Sequence, residues 1–150
     1  MQNALNKWDR RFLEMAALVA GWSKDESSKV AAIIVDGKHR VVSMGFNGFP
    51  VGVSDEAVDR PRKLLRVIHA ETNSLNFANR DVEGYTIYVT HPPCANCAGH
   101  IIQRGIARVV FPLGSPEFME RWKDNYHEAL SMFGEAGVRV DIVDNCLWES

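Results

Sequence analysis

Trp8, Phe12, Met15, Ala16 and Val19 recur at the spacing of one helix face, which predicts an amphipathic helix over 7–20 that ends near Gly21. From Val30 the pattern changes to an unbroken apolar run, Val30-Ala31-Ala32-Ile33-Ile34-Val35, which predicts a strand buried on both faces. Asp36-Gly37-Lys38 is a turn signal, and the stretch 39–46 beyond it reads as a second strand, so the two form a hairpin. A stretch bearing Gly and Pro, 45–61, reads as loop. Helix and strand patterns then alternate. A helix opens at His69 and runs to about Asn79, and Tyr85-Thr86-Ile87-Tyr88-Val89-Thr90 is a β-branched and aromatic strand stopped by Pro92-Pro93. A helix over 94–105, a short strand over 108–111, a helix within 117–133 and a last strand over 138–143 complete the series. This order predicts a mixed sheet covered by helices, a three-layer α/β domain.

Composition narrows the class. A chain of 150 residues, 46% hydrophobic and 24% charged, has the size of one domain over 1–150 and enough apolar material to bury a core. No apolar segment approaches about 18 residues, and Met1-Gln2-Asn3-Ala4-Leu5-Asn6 lacks the pattern of a signal peptide. Three cysteines make a poor disulfide framework, so the expectation is a cytoplasmic protein with no membrane partner. The formal net charge of −2 supplies no basic field for a nucleic-acid backbone.

The chemistry lies in His69-Ala70-Glu71 and, on a later segment, Pro93-Cys94-Ala95-Asn96-Cys97. Alone, a C-x-x-C fits a redox dithiol or half of a structural zinc knuckle, and H-x-E arises by chance. Together, one imidazole and two thiolates are a three-ligand Zn²⁺ set, and three ligands leave a fourth position open, as catalytic rather than structural zinc requires. Cys94 and Cys97, three residues apart at a helix start, face the same way where the helix dipole favours thiolate. Glu71, kept off the metal, can move protons, and Ala70 is small enough for a ligand to approach the backbone. The remaining cysteine, Cys146, has no metal-like spacing and reads as a buried small apolar residue.

The order H-x-E then P-C-x-x-C is that of zinc-dependent nucleobase deaminases. From about Trp8 to Val143 the chain resembles the deoxycytidylate deaminases of the cytidine deaminase superfamily. Narrower likeness lies in Gly45-Phe46-Asn47-Gly48-Phe49-Pro50 with Gly52 and Ser54-Asp55, and in the segments 88–94 and 101–106. The resemblance implies an α-β-α cytidine deaminase-like fold with a five-stranded mixed sheet, the site at the ends of two zinc helices, and homo-oligomers, commonly hexamers. It implies a small nucleotide substrate, dCMP converted to dUMP for thymidylate synthesis, with Glu71 as the proton carrier. Asn47 matches a sugar-hydroxyl contact, and Lys63 and Lys29 match positions that can meet a phosphate, with Arg62 and Arg66 nearby. The same residues also read as a turn asparagine and as solvated charges.

Three departures follow from the same comparison. Val53 stands where many relatives have cysteine, which counts against a second, structural zinc and leaves open the regulation by dCTP and dTTP that many relatives carry in the loop matching 45–55. Ala31 replaces a usual glycine. No aromatic residue occurs in Pro112-Leu113-Gly114-Ser115, so stacking on the base would fall to Phe46, Tyr126 or a neighbouring subunit. The rival readings are a deaminase of cytidine, dCTP or 5-methyl-dCMP, and a non-catalytic nucleotide sensor that keeps zinc as structure. An intact Glu71 argues against the sensor.

Overall fold

The computed structural model describes residues 5–56 and 58–143. Its elements are α1 (Lys7–Ala20), β1 (Ala31–Val35), β2 (Val41–Phe46), α2 (Arg60–Arg66), α3 (Ala70–Phe77), β3 (Thr86–Val89), α4 (Ala95–Gln103), β4 (Arg108–Pro112), α5 (Pro116–Arg121), α6 (Lys123–Ala136) and β5 (Arg139–Val143). The five strands form one sheet in the order β2-β1-β3-β4-β5. β1 runs antiparallel to both neighbours, while β3, β4 and β5 are parallel, so the sheet is mixed as expected.

Alternation along the strands sorts side chains into two cores. Ile33, Val35, Tyr88, Val110 and Val143 pack with Phe12, Leu13 and Ala16 of α1 on one face. Ala32, Ile34, Ile87, Val89, Val109 and Phe111 face the other way, against Ala70 and Leu75 of α3, Ala98 and Ile101 of α4, and Phe133 of α6. That is why β1 reads as an uninterrupted apolar run: all five of its residues are buried between helical layers. No helix among the described residues is long and apolar enough to cross a membrane.

A buried ion network anchors α1 to the sheet. Arg108 donates to both oxygens of Asp9, at 2.8 and 2.9 Å, and through Nε to Asp141 at 2.6 Å. The Tyr88 hydroxyl donates to Asp9 at 2.6 Å, and Arg139 pairs with Asp141 at 3.0 Å. Burial by itself would raise the Asp9 pKa, but the hydrogen bonds from Arg108 and Tyr88 outweigh it and hold the carboxyl below its ordinary value.

Four local expectations are corrected. The second hairpin strand begins at Val41 rather than 39, because His39 takes φ 61° and Asp36 accepts the N–H groups of Lys38 and Arg40, extending the turn. The stretch leading to His69 contains α2, capped by Asp59 accepting from Arg62 N and opened by Pro61, an N-terminal signal hidden among charges. The helix expected within 117–133 is two helices, α5 and α6, which meet at Trp122 with ψ 13°; α5 starts on a Ser115 cap followed by proline. The helices at His69 and Cys94 end at Phe77 and Gln103, the latter because Gly105 takes φ 83°. Cys146 lies outside the described residues.

Candidate active site

Helix α3 is pressed onto β2 at Gly45, where a Cβ would stand 2.6 Å from Ser74 N and 2.9 Å from the carbonyl carbon of Asn73. Only a residue without a side chain lets the helix approach this closely. Two hydrogen bonds fix the contact: Ser43 Oγ donates to the Ser74 carbonyl at 2.7 Å, and Asn73 Nδ2 to the Phe46 carbonyl at 2.8 Å. Just before the helix, Ile68 and Gly48 exchange both main-chain hydrogen bonds, at 2.8 and 3.1 Å. His69 therefore enters as the N-cap of α3 beside the Asn47-Gly48 turn.

Helix α4 presents the cysteines. Cys94 is its N-cap, and its Sγ accepts from Cys97 N at 3.4 Å. The free N–H of Ala95 is taken by Asn125 Oδ1 of α6 at 2.7 Å, so a third element holds the helix start. At the far end the Arg104 guanidinium donates to the Leu75 carbonyl at 2.7 Å, tying α4 to α3. Neither Asn125 nor Arg104 carries a sequence signal, because each acts on a main-chain atom far away in the chain.

His69 Nδ1 lies 3.5 Å from Cys94 Sγ and 3.3 Å from Cys97 Sγ. The three ligand atoms fall within 4.8 Å of one another, the one such His/Cys/Asp/Glu cluster among the described residues. Tetrahedral zinc with Zn–S of about 2.3 Å and Zn–N of about 2.0 Å sets sulfur and nitrogen about 3.5 Å apart, and His69 stands at that spacing from both sulfurs. The neighbouring Cys97 thiol, with His69 beside it, draws the Cys94 thiol down to about 4. Cys97, beside Cys94 and buried, is pushed up, and the contact with Cys94 raises His69.

Glu71 is 4% exposed, and burial pushes its carboxyl up to about 7 against the opposing pull of its own N–H and of His69. A buried carboxyl two residues from an imidazole ligand, poised near neutrality, can both take and give a proton.

The structure treats the remaining candidates differently. Asn47 is buried, its Oδ1 accepting from Val30 N at 3.0 Å and its Nδ2 donating to the Ser28 carbonyl at 2.7 Å. Ala70 is fully buried at the α3 start. Lys29 is exposed, with its ammonium on the Ser23 carbonyl, and Lys63 is exposed on α2. Arg66 donates to the Ser54 carbonyl at 3.0 Å. Tyr126 is not free to stack on a base: it is 8% exposed and packs edge-on against Phe111 in the core. Phe46 is half-buried against Trp22. The aromatic group that sequence reading missed is Phe118, whose ring lies 4.2 Å from that of His91, three residues before Cys94.

A His/Cys/Cys trio at two helix starts, with a buried carboxylate beside it on a mixed sheet, defines a zinc-dependent hydrolase of the deaminase type. The family model for the cytidine and deoxycytidylate deaminase zinc-binding region matches residues 6–113, and the chain belongs to this family. A protein of Aliivibrio fischeri described as an uncharacterized deaminase in the luxG 3' region is 50% identical over 139 residues, covering 91% of this chain and 93% of the other. Human deoxycytidylate deaminase is 36% identical over 147 residues, covering 88% and 77%. The crystal structure of dCMP deaminase from cyanophage S-TIM5 superposes with TM-score 0.73 over 93% of this chain and 100% of that one; at 23% identity it shows the shared fold.

Proposed function

We propose that this protein hydrolyses dCMP to dUMP and ammonia, a step that feeds thymidylate synthesis, with His69, Cys94 and Cys97 as zinc ligands and Glu71 as the proton carrier. The observation that carries the reading is the buried Glu71 beside a three-ligand metal set, in a chain 36% identical to human deoxycytidylate deaminase. Zinc, when bound, supplies a Lewis acid that lowers the pKa of a water from about 15.7 toward about 7. Glu71 accepts a proton from the attacking water and delivers it to ring N3. The water oxygen then bonds to C4, and Glu71 takes the remaining proton of that new hydroxyl and passes it to the amine as the C4–N4 bond breaks, leaving the C4 carbonyl and ammonia. The elevated pKa of Glu71 suits both halves of this exchange, since a carboxyl near 7 gives up its proton as readily as it takes one.

Asn47 has spent one donor and one acceptor on the chain, and an amide can make four hydrogen bonds, so a donor and an acceptor remain for a sugar hydroxyl. Ala70 gives the base room against the start of α3. Lys63 and Lys29 are the cations assigned to the phosphate; Lys29 keeps two donors beyond the one on Ser23. The working form is a cytoplasmic homo-oligomer, a hexamer, open to dCTP and dTTP as effectors. A cytoplasmic setting keeps Cys94 and Cys97 reduced for metal.

The test is ammonia release measured in parallel on dCMP, CMP, deoxycytidine, cytidine, dCTP, 5-methyl-dCMP and guanine. A clear preference for dCMP is expected. Preference for deoxycytidine or dCTP would refute the phosphate state, and no release from any of them would leave the sensor reading.

A further inference from the structure

Thr72 lies three residues beyond His69 on α3, half-buried, at the edge of a cleft of about 300 Å³ that it shares with His69, Asn96 and His100. Its Oγ1 stands 3.7 Å from Cys97 Sγ, within the range of a hydrogen bond to sulfur. Each sulfur of the trio thus meets a polar group of the chain: Cys94 Sγ receives Cys97 N, and Cys97 Sγ lies against a hydroxyl from the neighbouring helix.

We propose that Thr72 is a positioning residue for the metal centre, its hydroxyl donating to Cys97 Sγ and so orienting that sulfur and tempering its electron density toward zinc. A thiolate can only accept, so once Cys97 is a ligand the direction of the bond is settled. Cys97 is fully buried, and a thiolate there has lost the water that would otherwise solvate it. The Thr72 hydroxyl supplies a fixed donor in place of that water. It also links α3, which carries His69 and Glu71, directly to the sulfur of α4, across the seam that the metal must bridge. A threonine inside a helix ordinarily turns its hydroxyl back to the preceding turn or to solvent, and here the hydroxyl reaches Cys97. Partners of this kind typically change metal affinity or activity about 10- to 100-fold when removed.

The inference rests on His69, Cys94 and Cys97 being the zinc ligands. Thr72→Val and Thr72→Ala, which lack the hydroxyl, and Thr72→Ser, which keeps it, are compared with wild type in two measurements. Competition with a chromophoric chelator should show zinc held about 10- to 100-fold more weakly by the Val and Ala variants, with Ser near wild type. In the cobalt(II)-substituted proteins, the sulfur-to-cobalt charge-transfer band should move to longer wavelength in Val and Ala and return in Ser, a response that packing alone would not produce. Unchanged affinity and band in both hydroxyl-free variants would overturn the proposal, as would a Ser variant that loses as much as Val. Should Val fold poorly, Ala against Ser decides the same question. A wild-type protein that binds no zinc would instead overturn the ligand assignment itself and the inference with it.

Discussion

Gly45→Ala is a one-carbon change in β2 that should act on chemistry carried by a different element. Gly45 is not among the residues with positive φ, so alanine fits the backbone there, and away from a clash it would favour a strand by about 0.5–1 kcal/mol. The new methyl, however, lands 2.6 Å from Ser74 N and 2.9 Å from Asn73 C. Ordinary contact begins near 3.5 Å, so α3 must retreat from β2 by roughly 0.6–0.9 Å or the strand must bend. Overpacking of this kind costs about 1–3 kcal/mol, which outweighs the gain in propensity. With the gain set against it the net loss reaches about 2.5 kcal/mol, and at about 2–4 °C per kcal/mol the zinc-loaded variant should melt up to about 10 °C below wild type. The retreat carries His69 and Glu71 with it, and a displacement of about 1 Å can cost up to about 10²-fold in rate. Thermal unfolding and steady-state deamination of dCMP, run on the same zinc-loaded sample, check both effects; the loss should fall on kcat. A Gly45→Ala protein with wild-type melting and wild-type kcat would refute the claim that this contact sets the helix.

Three further outcomes are expected. Arg108→Met leaves Asp9 buried without its guanidinium and should cost about 3–5 kcal/mol in denaturant unfolding near neutrality. Because the folded Asp9 pKa lies below its ordinary 3.8, this stability is full above that value and disappears as pH falls through the native pKa, so the gap between wild type and variant should narrow below about pH 4; a gap constant with pH would contradict the network. Asn125→Ala should lower stability by about 0.5–2 kcal/mol by exposing the Ala95 N–H, while Asn125→Asp, which keeps an acceptor, recovers most of it; equal melting of all three proteins would deny Asn125 a part in holding α4. Lys63→Ala and Lys29→Ala should reduce kcat/KM for dCMP by about one to two decades, the worth of a charge-assisted hydrogen bond of about 1.5–3 kcal/mol, and leave deoxycytidine nearly unchanged; equal small effects on both substrates would place the phosphate elsewhere.

What the sequence made legible was what periodicity and ligand spacing encode. The apolar continuity of β1, the succession of helices and strands and the face of α1 predicted the layers, and the metal-ligating residue types meet because His69 caps α3 and Cys94 caps α4, with Cys97 in the first turn of α4. Features built on single long-range hydrogen bonds escaped it. The Asn125 hydrogen bond to Ala95, the Arg104 hydrogen bond to Leu75 and the Thr72 contact with Cys97 join residues between 25 and 30 positions apart with no periodic trace. Helices α2 and α5 were hidden because each is short and exposed, with no buried residue to set up a period, although Asp59-Arg60-Pro61 and Ser115-Pro116 were readable as helix starts. Tyr126 was placed at the substrate on residue type alone, whereas the register of α6 turns it into the core against Phe111.

Glu71→Gln, with zinc content and dCMP turnover measured on one purified sample, tests whether Glu71 moves protons beside a zinc it does not bind. Glutamine keeps the size and hydrogen-bonding shape of the side chain and cannot shuttle a proton. A proton-carrying Glu71 predicts about one zinc per chain, as in wild type, and turnover lower by at least about 10² to 10⁴. Near-normal turnover with zinc in place, or loss of zinc along with activity, would contradict it.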